Sequence, residues 1–352
     1  MSAVAEIPAE QLEQHRRELV GYCYRMLGSV HEAEDAVQDT MLRAWRALPT
    51  FEGRAGLRPW LYRIATNVCI DTLKGRARRA LPIDVAPAST SEARLGLARP
   101  EEMWIQPAPD SLIMPPEGDP AEHAVSRESV RLAFIAALQH LAPRPRAVLI
   151  LRDVLRWRAA EVAALLETST DAVNSALRRS RAALSGIDRE ATPSQPSPDD
   201  RELLAAYIGA FGRNDVDALV ALLREDAILE MPPFDLWLRG RRDIREWLIG
   251  VDALSNKRLE PVSANGSPAA AAYRSAEPGA EPTAFAIYVL DVDGGRISAI
   301  HAFLDPALFA IFGLPDRPRM LGTRAATPAH VHGVAEPDEF EEFSQSAVDT
   351  MQ

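Results

Sequence analysis

Four groups of residues in this chain have the types and spacing to do chemistry. The stretch from Arg58 to Arg79 carries Arg58, Arg63, Lys74, Arg76, Arg78 and Arg79 against a single acid, Asp71, a density of cations suited to phosphates or to a solvated basic face. Upstream, Glu34, Asp35, Gln38 and Asp39 recur at helical spacing and form an acidic stripe opposite Val37, Met41 and Trp45, which the periodicity predicts to be buried. Between Ala159 and Leu184, the string AAEVAALLETSTDAVNSALRRSRAAL reads as two helices around a tight turn. Its second helix would present Asn174, Ser175, Arg178, Arg179 and Arg181, polar forks for base edges and guanidiniums for phosphates. The bland alternative is a helical hairpin with a wet basic face. The fourth group, Glu230, Asp235, Trp237, Tyr273 and His301, lies on or beside strand-like segments that could wall a pocket. There an acid and a histidine could support isomerase or hydrolase chemistry, or be ordinary surface residues.

The elements that must position these groups follow from periodicity. Apolar residues recur at three-and-four spacing from Ala9 to about Arg79, which predicts four helices. Gly28 ends the first of them and Ser29 is placed to cap the next. Residues 49–57 form a loop. Residues 81–120 are rich in proline and acids and predict an extended linker, with one apolar island at Met103-Trp104-Ile105. A lone Trp there should dock on something. Helices resume over residues 121–187. Within them, Ser169 or Thr170 would cap the second helix of the hairpin, whose core is expected from Ala163, Leu166, Val173 and Leu177. Glu167 stands in its turn, at a cost of roughly 1 kcal/mol if the backbone is left-handed. A second linker covers 188–199. From 200 to 318 the pattern is α+β, two helices and then five strand-like stretches, with turn signals at Asn265-Gly266 and Asp293-Gly294-Gly295. The remaining 319–352 is acidic and aperiodic, which predicts disorder.

Bulk properties limit the function classes. With 352 residues, 47% apolar and 25% charged, the chain can hold two or three domains. The net charge of −11 argues against indiscriminate nucleic-acid binding. Basic patches within an acidic protein suit binding inside a larger complex. Cys23 and Cys69 sit in helical patterns and read as buried apolar residues in a reducing cytoplasm, without disulfide or metal. No run approaches the roughly 20 apolar residues of a membrane span, and no signal peptide is legible. Nucleotide and hydrolase motifs are absent from the sequence, so no cofactor is expected.

The N-terminal strings are the most specific. YRMLGSVHEAEDAVQDTMLRAW from Tyr24 to Trp45, and FEGRAGLRPWLYRIATN from Phe51 to Asn67, resemble region 2 of bacterial sigma factors. LAPRPRAVLILRD from Leu141 to Asp153, continuing through the helical hairpin, resembles region 4, and no region 3 lies between them. That layout is similar to the extracytoplasmic-function sigma-70 family of RNA polymerase sigma factors. Residues 200–315 resemble the SnoaL-like branch of the cone-shaped NTF2-like fold through DAILEMPP, LRGRRDIREW and the Ala284–Asp305 hairpin.

The resemblance implies a multidomain protein: two all-α sigma domains, a four-helix region 2 and a helix-turn-helix region 4, followed by the α+β domain. It implies core RNA polymerase and promoter DNA as partners, met through the β′ clamp helices and the β flap. Glu34, Asp35, Gln38 and Asp39 would grip the clamp. Arg54, Arg58, Trp60, Arg63 and Asn67 would hold the −10 element, with Trp60 equally at home in the core. Asn174, Ser175, Arg178, Arg179 and Arg181 would read the −35 element. Trp104 in WIQP, and Asp293, Gly294, Gly295 and Arg296 in DGGR, are similar to linker and turn motifs of sigma factors with this fused domain, and imply interdomain regulation. A small-molecule ligand of the last domain, or catalysis there, stays open.

Overall fold

The computed structural model describes residues 9–51, 56–115, 120–185 and 198–318. Expectations for Arg54, for the second linker apart from its last residues, and for the acidic tail fall outside these residues. The chain divides into two compact units. The first comprises Met1–Leu81, Glu102–Gln195 and Ser263–Ser267; the second comprises Pro82–Glu101, Pro196–Val262 and Pro268–Gln352.

In chain order the first helices are α1 (Ala9–Glu13), α2 (Arg16–Leu27), α3 (Val30–Ala47) and α4 (Leu57–Thr72). Single turns follow at α5 (Pro82–Val85) and α6 (Asp110–Ile113), then α7 (Pro120–Glu128), α8 (Leu132–Gln139), α9 (Pro143–Leu149), α10 (Ala159–Leu165) and α11 (Thr170–Ser185). Local chemistry sets the boundaries. Gly28 adopts φ 73° and its N–H closes α2 on the Tyr24 carbonyl at 2.8 Å, a conformation only glycine takes without cost. Ser29 Oγ then accepts from the Glu32 N–H at 3.2 Å, and the same hydroxyl donates to Gln106 Oε1. In the helical hairpin Ser169 Oγ caps α11 on the Ala172 N–H at 3.1 Å.

The first unit packs both helical regions on one core. Tyr22, Tyr24, Met26 and Leu27 of α2 are fully buried, as are Leu61 and Tyr62 of α4. Tyr62 and Trp157 meet at 5.0 Å between ring centres. Two buried guanidiniums bridge the regions. Arg25 donates to Ser129 Oγ at 2.8 Å, and Arg146 donates to the Met26 carbonyl and to Gln139 Oε1. Trp104, 3% exposed, docks here: Ala80 pairs on both sides of it, with its N–H on the Met103 carbonyl and its carbonyl on the Ile105 N–H.

The second unit continues with α12 (Pro198–Gly212) and α13 (Val216–Ala221). A six-stranded sheet follows: β1 (Leu223–Glu230), β2 (Trp237–Arg239), β3 (Lys257–Ala264), β4 (Ser267–Arg274), β5 (Thr283–Asp293) and β6 (Arg296–Phe303). Helix α14 (Arg241–Gly250) follows β2 and the short α15 (Leu308–Ile311) follows β6. The strand order is β2-β1-β6-β5-β4-β3, antiparallel in β1–β2, β4–β5 and β5–β6, with β1 and β6 parallel. Phe211, Leu219, Ile244, Trp247, Phe285 and Ile300 belong to one apolar core under this sheet.

The proline-rich segment differs from the extended linker the composition predicts. Pro82–Glu101 is a strap laid on the second unit. Trp237 Nε1 donates to the Ala86 carbonyl and Trp247 Nε1 to the Ala93 carbonyl, both at 2.9 Å. Leu95 inserts into the core, and Arg99 donates from Nε and Nη2 to one Asp235 oxygen, Oδ2, at 2.9 and 2.6 Å. Proline removes backbone donors and limits the strap's own pairing to short turns, so indoles and the β2 edge supply further partners. Replacing Ser29 by Ala removes a cap and the hydroxyl's hydrogen bond to Gln106. The expected loss is about 1–2 kcal/mol in denaturant unfolding, with the helix content of the folded protein unchanged.

Candidate functional site

Helix α3 has a consumed face and a free face. Ala33, Ala36, Val37, Thr40, Met41 and Ala44 are buried, which leaves Glu34, Asp35 and Gln38 exposed and Asp39 half-exposed in an i,i+4 pair with Arg43 at 2.7 Å. Trp45 is a correction to the expected buried row: it is 64% exposed, with Leu42 also outward at 47%. The helix outruns the partner that would cover its last turn. The result is an acidic stripe ending in an apolar knob.

At the basic stretch, Trp60 is half-buried and stacks on Phe51 at 4.7 Å, between the two roles it could take. Arg58 Nε donates to Glu18 at 2.7 Å, and its guanidinium lies 5.3 Å from the Tyr62 ring centre and 5.5 Å from that of Trp157. Arg63 pairs with Glu167, and Asn67 is exposed. Downstream, Arg79 is buried, donating to the Trp104 carbonyl and pairing with Glu32 at 2.9 Å. Arg76 also pairs with Glu32 and Arg78 contacts His140, so all five arginines of this stretch already have protein partners.

In the hairpin, Val162, Ala163, Leu165, Val173 and Leu177 form the buried seam, with Leu166 half-buried. The turn places Glu167 at φ 53°, the left-handed conformation expected there. Asn174, Arg178 and Arg179 are exposed, Arg179 donating to Ser175 Oγ at 3.0 Å. Arg181 forms a bidentate pair with Asp153 at 2.9 and 2.6 Å. Glu167 was visible in the sequence as an odd turn residue; that it would meet Arg63 was not.

The sheet holds two distinct features. A cavity of about 30 Å³ lies on the face bearing Leu229, Met231, Tyr288, Ile300 and Ala302, with Lys257 at its rim. That is room for a water or two, against roughly 300–1,000 Å³ for an organic ligand. Burial holds the Lys257 ammonium down to about 8, with Arg274 adding to the effect. None of the five expected pocket residues lines this cavity. Side chains alternate along a strand, so Glu230 and His301 fall on the opposite face from Leu229, Met231, Ile300 and Ala302. Tyr273 packs edge-on against Phe309 and donates to the Pro315 carbonyl at 3.1 Å. Asp235 and Trp237 hold the strap.

Glu230 and His301 instead form a buried ionic triad with Asp291. His301 Nδ1 contacts Glu230 at 2.8 Å and Nε2 contacts Asp291 at 3.2 Å, while the other Glu230 oxygen accepts the Ile83 N–H of the strap at 3.1 Å. Burial pulls the imidazolium down, but hydrogen bonds to Asp291 and Glu230 and their charges outweigh it and push it up to about 10. The DGGR turn is internal to the second unit. Asp293 pairs with Arg224 of β1, and Arg296 donates to the Ala221 carbonyl at 2.9 Å. Among the described residues there is no cluster of metal-ligating side chains, and no helix is long and apolar enough to cross a membrane.

A helical unit carrying a helix-turn-helix, and a second unit built on a mixed sheet, define a DNA-binding regulator with a fused second module. Family models give the class: sigma-70 region 2 matches residues 12–79, sigma-70 region 4 matches 131–184, and a SnoaL-like domain matches 204–300. The chain is 48% identical over 312 residues to the ECF RNA polymerase sigma factor SigG of Mycobacterium tuberculosis, covering 86% of this chain and 83% of that one. SigJ of the same species is 26% identical over 326 residues, 87% and 95% of the two chains. The crystal structure of SigJ superposes with a TM-score of 0.58 at 23% identity, covering 88% of this chain and 100% of that one, which shows a shared fold. This chain belongs to the extracytoplasmic-function sigma factors of RNA polymerase. It is a transcription initiation factor with a SnoaL-like C-terminal domain.

The triad makes a pH prediction. A histidine whose pKa is raised on folding contributes stability in full below its unfolded value near 6.5, and that contribution fades as pH climbs through about 10. The His301 contribution, read as the stability difference between wild type and His301→Gln, should therefore fall by on the order of a few kcal/mol between pH 7 and 10. That substitution should lower stability at pH 7.

Proposed function

We propose that Glu34, Asp35, Gln38 and Asp39 dock the protein on the β′ clamp helices of core polymerase. Arg58, Trp60, Arg63 and Asn67, together with Arg54 outside the described residues, then hold the opened −10 element. Asn174, Ser175, Arg178, Arg179 and Arg181 meet the −35 element, with region 4 on the β flap. The observation that carries the docking role is the free carboxylate face of α3, whose opposite face is spent on packing. The protein acts in the cytoplasm, where its polymerase partner works.

The C-terminal domain, in this reading, regulates in cis rather than catalysing. Its expected acid and histidine are tied to each other and face away from the cavity, whose volume of about 30 Å³ holds no organic substrate. Geometry supports regulation. The two promoter elements lie about 25 base pairs apart, about 85 Å at 3.4 Å per pair. In the first unit Arg63 of the −10 set touches Glu167 of the −35 hairpin. A protein in this state cannot span both elements, so initiation requires the two regions to part. Arg63 and Arg58 must also exchange protein partners for the nucleic acid.

Charge reversal at Asp35 and Asp39 to Lys should weaken association with core polymerase at least about tenfold, read by pull-down or fluorescence titration. Undiminished association would reject α3 as the docking face. Deleting residues 200–352 should change run-off transcription from a cognate promoter several-fold, and unchanged output would reject regulation in cis.

A further inference from the structure

The turn between β3 and β4 is unlike a solvent hairpin. Asn265 and Gly266 both take positive φ, 53° and 65°, as the tightest two-residue turn demands. Such turns usually sit in water, yet Asn265 is fully buried, and residues Ser263–Ser267 belong by packing to the first unit. The Asn265 amide is fully engaged there. Its Nδ2 donates to Tyr24 Oη and to the Val130 carbonyl, both at 2.7 Å, and its Oδ1 accepts the Ala108 N–H at 2.9 Å. The backbone adds two more bonds: the Asn265 N–H donates to the Ala108 carbonyl at 3.1 Å, and the Gly266 N–H to Asp110 Oδ1 at 2.7 Å. A Cβ on Gly266 would lie 2.5 Å from Arg127 Cγ and 2.9 Å from the Arg127 carbonyl oxygen, so nothing larger than glycine fits.

The three partners of that amide come from three parts of the sigma core. Tyr24 is on α2, inside the region 2 match; Val130 immediately precedes the region 4 match; Ala108 lies in the connection between them. One side chain therefore ties all three. Tyr24 Oη passes the link on by donating to the Gln106 carbonyl at 2.7 Å. Polar groups without partners in a dry interface are costly, so withdrawal of the turn leaves the Ala108 N–H and Val130 carbonyl looking for water. Water is available when regions 2 and 4 separate.

We propose that Asn265-Gly266 is a latch: seated, it holds regions 2 and 4 closed, and its withdrawal releases them for polymerase and promoter. This rests on regulation in cis and assigns it to one turn, with an inhibitory sign. The latch is distinct from the DGGR turn, which contacts β1 and the α13 end of its own domain.

The test uses the full chain with Gln14→Cys and Ser185→Cys, both exposed positions, labelled for distance measurement; the native Cys23 and Cys69 are buried. Asn265→Ala, Gly266→Ala and Tyr24→Phe are compared with the parent, each checked for a cooperative melt. Asn265→Ala and Gly266→Ala should shift the distance distribution outward and tighten core-polymerase binding by on the order of tenfold, with Tyr24→Phe in the same direction but weaker. If folded Asn265→Ala and Gly266→Ala keep the parent distance and affinity while deletion of 200–352 still alters transcription, the latch is wrong and regulation stands. If the deletion also changes nothing, regulation in cis falls with it. A tighter distance or weaker polymerase binding in the variants would overturn the inhibitory sign.

Discussion

Buried guanidiniums with neutral partners govern how the sigma core can behave. Arg25 and Arg146 are both only 3% exposed, and burial pulls each down to about 10. Their nitrogens end on Ser129, on main-chain carbonyls and on Gln139, without a carboxylate among the hydrogen-bond partners. A charge held this way is adequately bonded but poorly solvated. Each arginine also reaches across the boundary between the two helical regions. Closing the regions thus costs desolvation, and opening them returns hydration. That balance makes an interface which is specific yet separable, as a factor that must meet two distant promoter elements requires.

The exposed arginines proposed above to meet DNA are likewise paired at the surface. Arg63 with Glu167, and Arg181 with Asp153, are exposed pairs worth roughly 0–1 kcal/mol, too weak to compete with a phosphate lattice. Arg58 is held better, by Glu18 and two aromatic faces, so its release is coupled to the movement of Trp157 and with it to region 4.

The second unit has turned the usual architecture of its sheet to structural ends. The strap consumes both indole N–H groups of Trp237 and Trp247, and the triad spends one carboxylate oxygen on the strap backbone. Polar groups that could have served a pocket hold a segment of the sigma chain instead.

What the sequence alone determined was local. Period-3.6 patterning placed α2, α3, α4 and the hairpin helices, Gly28 and Ser29 marked a boundary, and Asn265-Gly266 announced its turn, because each depends on neighbours within a few residues. The family strings added the roles. Tertiary structure decided whatever depends on distant partners. Trp45 faces water because, among the described residues, no element covers the last turn of α3, although its spacing matches that of Val37 and Met41. Glu230 and His301 lie away from the cavity because strand register, unknown from the sequence, sets which parity faces in. The proline-rich segment is ordered because two indoles lie more than a hundred residues downstream. Asn265, legible as a turn residue, became a buried three-way link only when Tyr24, Ala108 and Val130 converged on it. A side chain's hydrogen-bond inventory is written in its type, but its partners are chosen by the fold.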